Sequence, residues 1–235
     1  MPKLLLVIAM SLALISFKSK LTIPDSPRAA GVRTKIWSQL QNKLRKKGLR
    51  DDQPVYLRLF KQEHLLEVWV RSGKQYKLFD KYVICFYSGG LGTKTKENDG
   101  KSPEGFYTIT PKQLQPVSQF HLAMNVGYPN AYDKQHGYTG GDIMIHGNCV
   151  SIGCYAMSDY NIDEIYTLVY EAFVHGQKSV QVAIFPFEMT NKNIEAYAKW
   201  TPIRFWRNMK SGYDMFERTH IPPVVSVANK NYAFR

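Results

Sequence analysis

Between positions 55 and 109 the chain is cut into short runs rich in β-branched and aromatic residues, at 55–60, 64–71, 82–87 and 106–109, separated by Gly, Ser, Asp and Lys. Runs so short and so often interrupted predict strands joined by turns rather than helices. Further strands are predicted at 119–125, 142–146 and 179–184, so the expected fold is mainly β. Residues 127–141, rich in Tyr, Gly and Asn, read as a long loop, and a loop of that length in a compact domain is usually functional.

Helical periodicity is confined to the flanks of this region. Ile36, Trp37, Leu40 and Leu44 recur at helical spacing over 34–47, with Gly48 as a stop, after a polar, Pro-containing linker at 24–31. Asn161 and Glu164 form a helix-start signal, and Ile162, Ile165, Tyr166, Val169, Ala172 and Phe173 give one apolar face ending at Gly176. The tail holds two helical stretches, 193–200 and 203–217, before Pro222-Pro223. Their aromatic residues predict packing onto the core.

Composition sets the bounds on function. With 235 residues, 44% of them hydrophobic, and only three cysteines, the chain can bury a full core without a metal or a disulfide framework. A net charge of +12 attracts polyanions. The one dense basic run, Lys43, Arg45, Lys46, Lys47 and Arg50, reads as a solvated helix face, so a nucleic-acid partner is not expected. Residues 4–15 form an apolar run flanked by Lys3, Lys18 and Lys20, the layout of a secretory signal and too short for a comfortable membrane span. No clean cleavage site follows, which leaves a removed signal and an uncleaved amino-terminal anchor both open. The predicted organisation is 1–20 signal or anchor, 21–53 linker and amphipathic helix, 54–187 catalytic domain, and 188–235 a helical extension packed on the core.

The stretch from Asp142 to Met157 carries the chemistry. It places His146 at the end of an apolar strand, followed by Gly147, and it places Cys154 after Ser151-Ile152-Gly153. Cysteine nucleophiles need an adjacent base to take the thiol proton, and backbone N–H groups aimed at the oxyanion, which a glycine leaves accessible. Cys85, in the apolar run 83–86, and Cys149 read as packing residues, with a regulatory disulfide from Cys149 to Cys85 or Cys154 as the alternative. The His and Cys spacing matches no common zinc module, so no metal and no cofactor are expected.

The ordered set His146-Gly147, Ser151-x-Gly153-Cys154 and, upstream, Lys101-Ser102-Pro103-x-Gly105-Phe106 resembles the L,D-transpeptidase catalytic domain, or YkuD domain, of bacterial cell-wall enzymes. The run 125–133, the Gly-Cys-Tyr-Ala-Met segment and the tail around Phe205-Trp206 and Pro222-Pro223 are similar to its YafK-like branch. The resemblance spans roughly residues 55–230. It implies a β-sandwich or barrel core, a Cys154 acyl-enzyme with His146 as base, an imidazole oriented by the Gly147 carbonyl, and an oxyanion hole from the N–H groups of Gly153 and Cys154. Ser151 would shape the site.

The same resemblance implies peptidoglycan stem peptides containing diaminopimelate as substrate, a location in the periplasm or cell envelope, and a monomer that meets membrane only through an uncleaved amino terminus. Transfer to an amine is expected first. Hydrolysis of peptidoglycan, or of its link to a lipoprotein, and non-catalytic wall binding are the alternatives.

Two departures from the pattern bear on the site. Only four residues separate His146 from Ser151, where many members have fourteen or more; His136, separated from Ser151 by fourteen residues, is the alternative base. Ala156 stands where an arginine is common, so the substrate carboxylate needs another cation, with Lys101 and Lys134 as candidates. Tyr128 and Tyr132 are further candidates for substrate contact.

Overall fold

The computed structural model describes residues 22–235. The apolar run at 4–15 lies outside them. No described helix is long and apolar enough to cross a membrane.

Helix α1 (Pro27–Lys46) starts earlier than the apolar spacing suggested, because the Ser26 side chain accepts from the Ala29 N–H and Pro27 occupies the first turn. The stretch read as linker at 24–31 is therefore partly helix. Strands β1 (Val55–Phe60), β2 (Leu65–Ser72) and β3 (Gln75–Phe86) form an antiparallel meander. After β3 come β4 (Gly105–Ile109), β5 (Leu114–Ser118), β6 (His121–Asn125), the short helix α2 (Ala131–Gln135), β7 (Met144–His146) and β8 (Tyr155–Met157). Helix α3 (Asp159–Val174) leads into β9 (Val180–Phe185), and the tail comprises α4 (Asn191–Ala196), α5 (Ile203–Thr219) and the hairpin β10 (Val225–Ala228) and β11 (Asn231–Phe234).

Nine strands make one curled sheet in the order β4-β9-β1-β2-β3-β8-β7-β6-β5. Its middle is β3, twelve residues long, whose first part pairs with β2 and whose end pairs with β8. Bulges at Val68/Trp69 and at Ile84/Phe86 flank the turn from one half of the sheet to the other.

Strand β1 is buried on both faces, and this divides the core in two. Val55, Leu57 and Leu59 face a cluster with α1 and α3, while Tyr56 and Phe60 face a second cluster built around Trp206, Met209 and Phe216 of α5. Trp206, Tyr213 and Phe216 of the tail therefore complete the core, whereas Trp200 is exposed. The tail is not wholly helical, however: the β10–β11 hairpin seats Tyr232 against Phe106 and Tyr132. The basic run of α1 is also less free than expected, since Lys43 bonds Glu164 of α3 at 2.6 Å and Lys47 bonds the Phe79 carbonyl.

Between the end of β1 and the start of β4 lies a fully buried ion pair. Lys61 Nζ reaches Glu104 Oε1 at 3.0 Å, with both side chains at 0% exposure. The ammonium also donates to the carbonyls of Gly92 and Ser102, and the carboxylate accepts from the Gly92 N–H and from Trp206 Nε1. Burial pushes the Lys61 amine down against the pull of Glu104. Removing one partner strands the other charge in the interior, so Lys61→Met or Glu104→Leu alone should each cost about 3–5 kcal/mol in urea unfolding. The double replacement should cost clearly less than the sum. An additive double mutant would show that the two side chains are not coupled.

Candidate active site

The nucleophile candidate is positioned by strand pairing. β7 and β8 run parallel with Ile145 opposite Tyr155 and His146 opposite Ala156, which sets Cys154 beside Met144. The Met144 N–H points at Cys154 Sγ at 3.3 Å, and the thiol donates to the Asp142 carbonyl at 3.6 Å. Because alternate residues of a strand share a face, Cys154, Met144 and His146 fall on the same side of the sheet. The imidazole thus stands one strand over and two residues along from the thiol, and the two are not hydrogen-bonded to each other in this structure.

His146 is held firmly. Its Nδ1 lies 2.6 Å from the Gly147 carbonyl, and since a carbonyl only accepts, Nδ1 carries the proton and Nε2 is left as the free lone pair. Phe120 covers the ring at 4.7 Å, leaving His146 only 1% exposed. Gly147 is required by space, because a Cβ there would meet Asp159 Oδ1 at 2.6 Å and His121 Cβ at 3.0 Å. Gly153 is required by backbone conformation, with φ at +107° immediately before the cysteine.

The N–H groups of Gly153 and Cys154 both have serine acceptors. Gly153 donates to Ser88 Oγ and Cys154 to Ser151 Oγ, each at 2.8 Å. Serine hydroxyls rotate cheaply, so these two amides are prearranged donors whose present acceptors can give way to another oxygen. Ser88 in turn is fixed by Ser102, through the Ser88 N–H to Ser102 Oγ and the Ser102 N–H to the Ser88 carbonyl, both at 3.0 Å.

Cys154 opens into a cleft of about 390 Å³, walled by Lys94, Glu97, Lys101, Asp142, Ile143 and Ile152 among others. Burial pushes its thiol above the ordinary range, against the Met144 and Ser151 hydrogen bonds, and burial also pushes the His146 imidazole down. The resting pair at neutral pH is therefore thiol and neutral imidazole rather than an ion pair.

The other sequence candidates are dispersed. His136 stacks on Tyr132 at 4.1 Å, bonds the Tyr132 carbonyl through Nδ1 and lines a different cavity from the one that holds Cys154. Tyr128 is buried, its hydroxyl on the carbonyls of Thr139 and Lys94. Tyr132 is buried as well, and Lys134 is exposed and lines neither space. Of the two proposed cations only Lys101 reaches the cleft. Lys94, which sequence reasoning passed over, is the second; its ammonium is tied to Asp99 at 2.9 Å. Ala156 is fully buried opposite His146.

Cys85 and Cys149 are not separate packing residues, as expected from the sequence, but a disulfide pair with Cα atoms 5.2 Å apart. Cys149 is exposed on the turn between β7 and β8, and that exposure gives it no packing role. The bond ties that turn to the end of β3 and leaves Cys154 as the free cysteine of the described residues.

The curled sheet thus carries Cys154 and a backbone-anchored His146 on one side of two paired strands, with two N–H groups at the cysteine turn. The L,D-transpeptidase catalytic domain (YkuD) profile matches residues 54–204, and the chain belongs to this family. It is 53% identical over 179 residues to the protein named "Putative L,D-transpeptidase YafK" of Escherichia coli strain K12, covering 76% of this chain and 73% of the relative. The protein of the same name in E. coli O157:H7 matches to the same extent. Among solved structures, the helical cell shape determining protein Pgp2 of Campylobacter jejuni is 21% identical with a TM-score of 0.44, over 81% of each chain. Bd1075 of Bdellovibrio bacteriovorus is 18% identical with a TM-score of 0.43, over 75% of this chain and 78% of that one.

Alkylation of Cys154 by iodoacetamide, followed by mass spectrometry from pH 6 to 10, should keep accelerating beyond the ordinary thiol value with no plateau below pH 7. Phe120→Ala should uncover the imidazole and raise the His146 titration midpoint read by NMR. A neutral-pH plateau would mean a standing thiolate–imidazolium pair instead.

Proposed function

We propose that this chain is an exported enzyme of the cell envelope that breaks an amide bond next to diaminopimelate in a peptidoglycan stem peptide, through a thioester on Cys154. The observation that carries the proposal is the Cys154 turn, where a thiol facing a cleft, two adjacent donor amides and an imidazole with a free Nε2 share one side of two paired strands.

In this mechanism His146 Nε2 accepts the proton of Cys154 as sulfur attacks the substrate carbonyl, once the two side chains come within hydrogen-bond reach. The Gly153 and Cys154 N–H groups exchange their serine acceptors for the developing oxyanion. The tetrahedral intermediate collapses, the C–N bond breaks, and the leaving amine takes the proton from His146. An incoming amine or water then gives its proton to His146 and attacks the thioester, which regenerates the thiol. Lys94 and Lys101 supply positive charge to a substrate carboxylate, the role that an arginine at 156 would otherwise fill.

Transfer to an amine, joining stem peptides or attaching a protein, is the first reading. Hydrolysis is the second, including release of a wall-linked lipoprotein, because the polar cleft wall of Glu97, Asn98 and Asp142 lets water reach the thioester. Both use the same acyl-enzyme and differ only in its acceptor.

Muropeptides and lipoprotein-linked muropeptides incubated with wild-type protein and with Cys154→Ala, then separated by mass, decide between them. Cross-linked or exchanged products lost in Cys154→Ala identify a transferase, and shortened or released products with the same dependence identify a hydrolase. No change in either sample overturns the enzymatic reading, and salt-sensitive sacculus binding that survives Cys154→Ala would then identify a wall-binding protein.

A further inference from the structure

Behind the wall that bears Lys94 lies a second and larger cavity of about 540 Å³. The segment between Gly92 and Lys101 separates the two spaces: Lys94 lines the cleft of Cys154, whereas Thr93 and Thr95 line the cavity. Lys101 lines both. Its ammonium lies 3.6 Å from where a Gly92 Cβ would stand, and Pro202 Cγ lies 3.8 Å from the same point. The far side of the cavity is built by the tail, through Arg204 and Phe205 of α5 and Lys230 of the β10–β11 turn. Phe205 and Lys230 lie beyond the span matched by the family profile, which ends at residue 204.

The chemistry of this lining is one-sided. Lys101, Arg204 and Lys230 bring three cationic side chains, none of them in an ion pair among the described residues, and no lining residue is acidic. His136, Tyr138 and Phe205 add half-exposed ring surface, with His136 and Tyr138 5.4 Å apart. Three unpaired cations converging on one concavity repel one another and raise the local concentration of anions. A bound group with carboxylates relieves that repulsion, and ring edges give such a ligand apolar contact.

We propose that this cavity is a second substrate subsite, which holds a carboxylate-bearing part of an anionic muropeptide while its scissile bond lies at Cys154. This inference rests on the peptidoglycan reading above for the identity of the ligand. Lys101 is the hinge between the two spaces, and Arg204 and Lys230 give the subsite its affinity. The tail thereby has a task beyond completing the core: it adds a charged wall that a bare catalytic domain lacks.

The test separates binding from chemistry. In the full chain carrying Cys154→Ala, isothermal titration with a disaccharide-tetrapeptide should give a Kd at least fivefold weaker when Arg204→Gln and Lys230→Gln are added. The salt dependence should also become shallower, and Arg204→Lys should retain most of the affinity. The uncharged probe chitotetraose should respond less than twofold. Both residues are exposed, and an unchanged thermal melt verifies that the double variant is folded.

With Cys154 intact, the same pair of substitutions should raise KM for the muropeptide at least fivefold and change kcat less than twofold. An unchanged Kd and KM in a protein that turns over overturns the subsite and leaves the enzymatic reading standing. A weakened Kd in a protein that shows no turnover supports the subsite and overturns the enzymatic reading. Failure of the muropeptide to bind the Cys154→Ala protein at all overturns the subsite.

Discussion

The buried pair of Lys61 and Glu104 is the contact on which the working surface depends. Two opposite charges at zero exposure are tolerable only because every polar atom is satisfied: the ammonium by two carbonyls and a carboxylate, the carboxylate by an amide, an indole and the ammonium. Such a pair adds little net stability, and its geometry is demanding. It fixes the loop from Gly92 to Ser102 against β1 and against Trp206 of the tail. From there the order passes outward, since Ser102 holds Ser88, and Ser88 accepts the Gly153 N–H beside the nucleophile candidate.

The loop and the two short strands β7 and β8 form a rigid frame around Cys154. The frame is closed on the other side by the Cys85–Cys149 disulfide, which ties the turn after β7 to the sheet. Within it the electrostatics are muted: burial holds the thiol protonated and the imidazole neutral, and the cations Lys94 and Lys101 stand at the cleft wall. A protonated thiol and a neutral imidazole leave the pair without a standing charge.

Much of this was legible in the sequence because it is local. The strand runs, the apolar face of α3 and the Ser-x-Gly-Cys turn are each encoded within a few residues, as is the placement of His146 at the end of a strand. What escaped detection depends on partners far along the chain. β8 is three residues long and exists through its neighbours, and the first half of β3, with Lys77, Asp80 and Lys81, is held as a strand by its pairing with β2. β5 and the two strands of the terminal hairpin are only four or five residues long, and Pro116 interrupts β5. A disulfide from Cys149 is the alternative to packing that the sequence leaves open, but its partner Cys85 is 64 residues away and only the fold selects it over Cys154. Lys94 reads as one lysine in a polar loop until Asp99 orders it at the cleft.

The central claim is that Cys154 becomes acylated, and intact-protein mass spectrometry of the chain mixed with a disaccharide-tetrapeptide and quenched in acid addresses it most directly. The account predicts a hydroxylamine-sensitive adduct equal to the muropeptide less its leaving amine, mapped to Cys154, absent in Cys154→Ala and slowed in His146→Ala. Product formation without such an adduct, or an adduct that persists in Cys154→Ala, would contradict it.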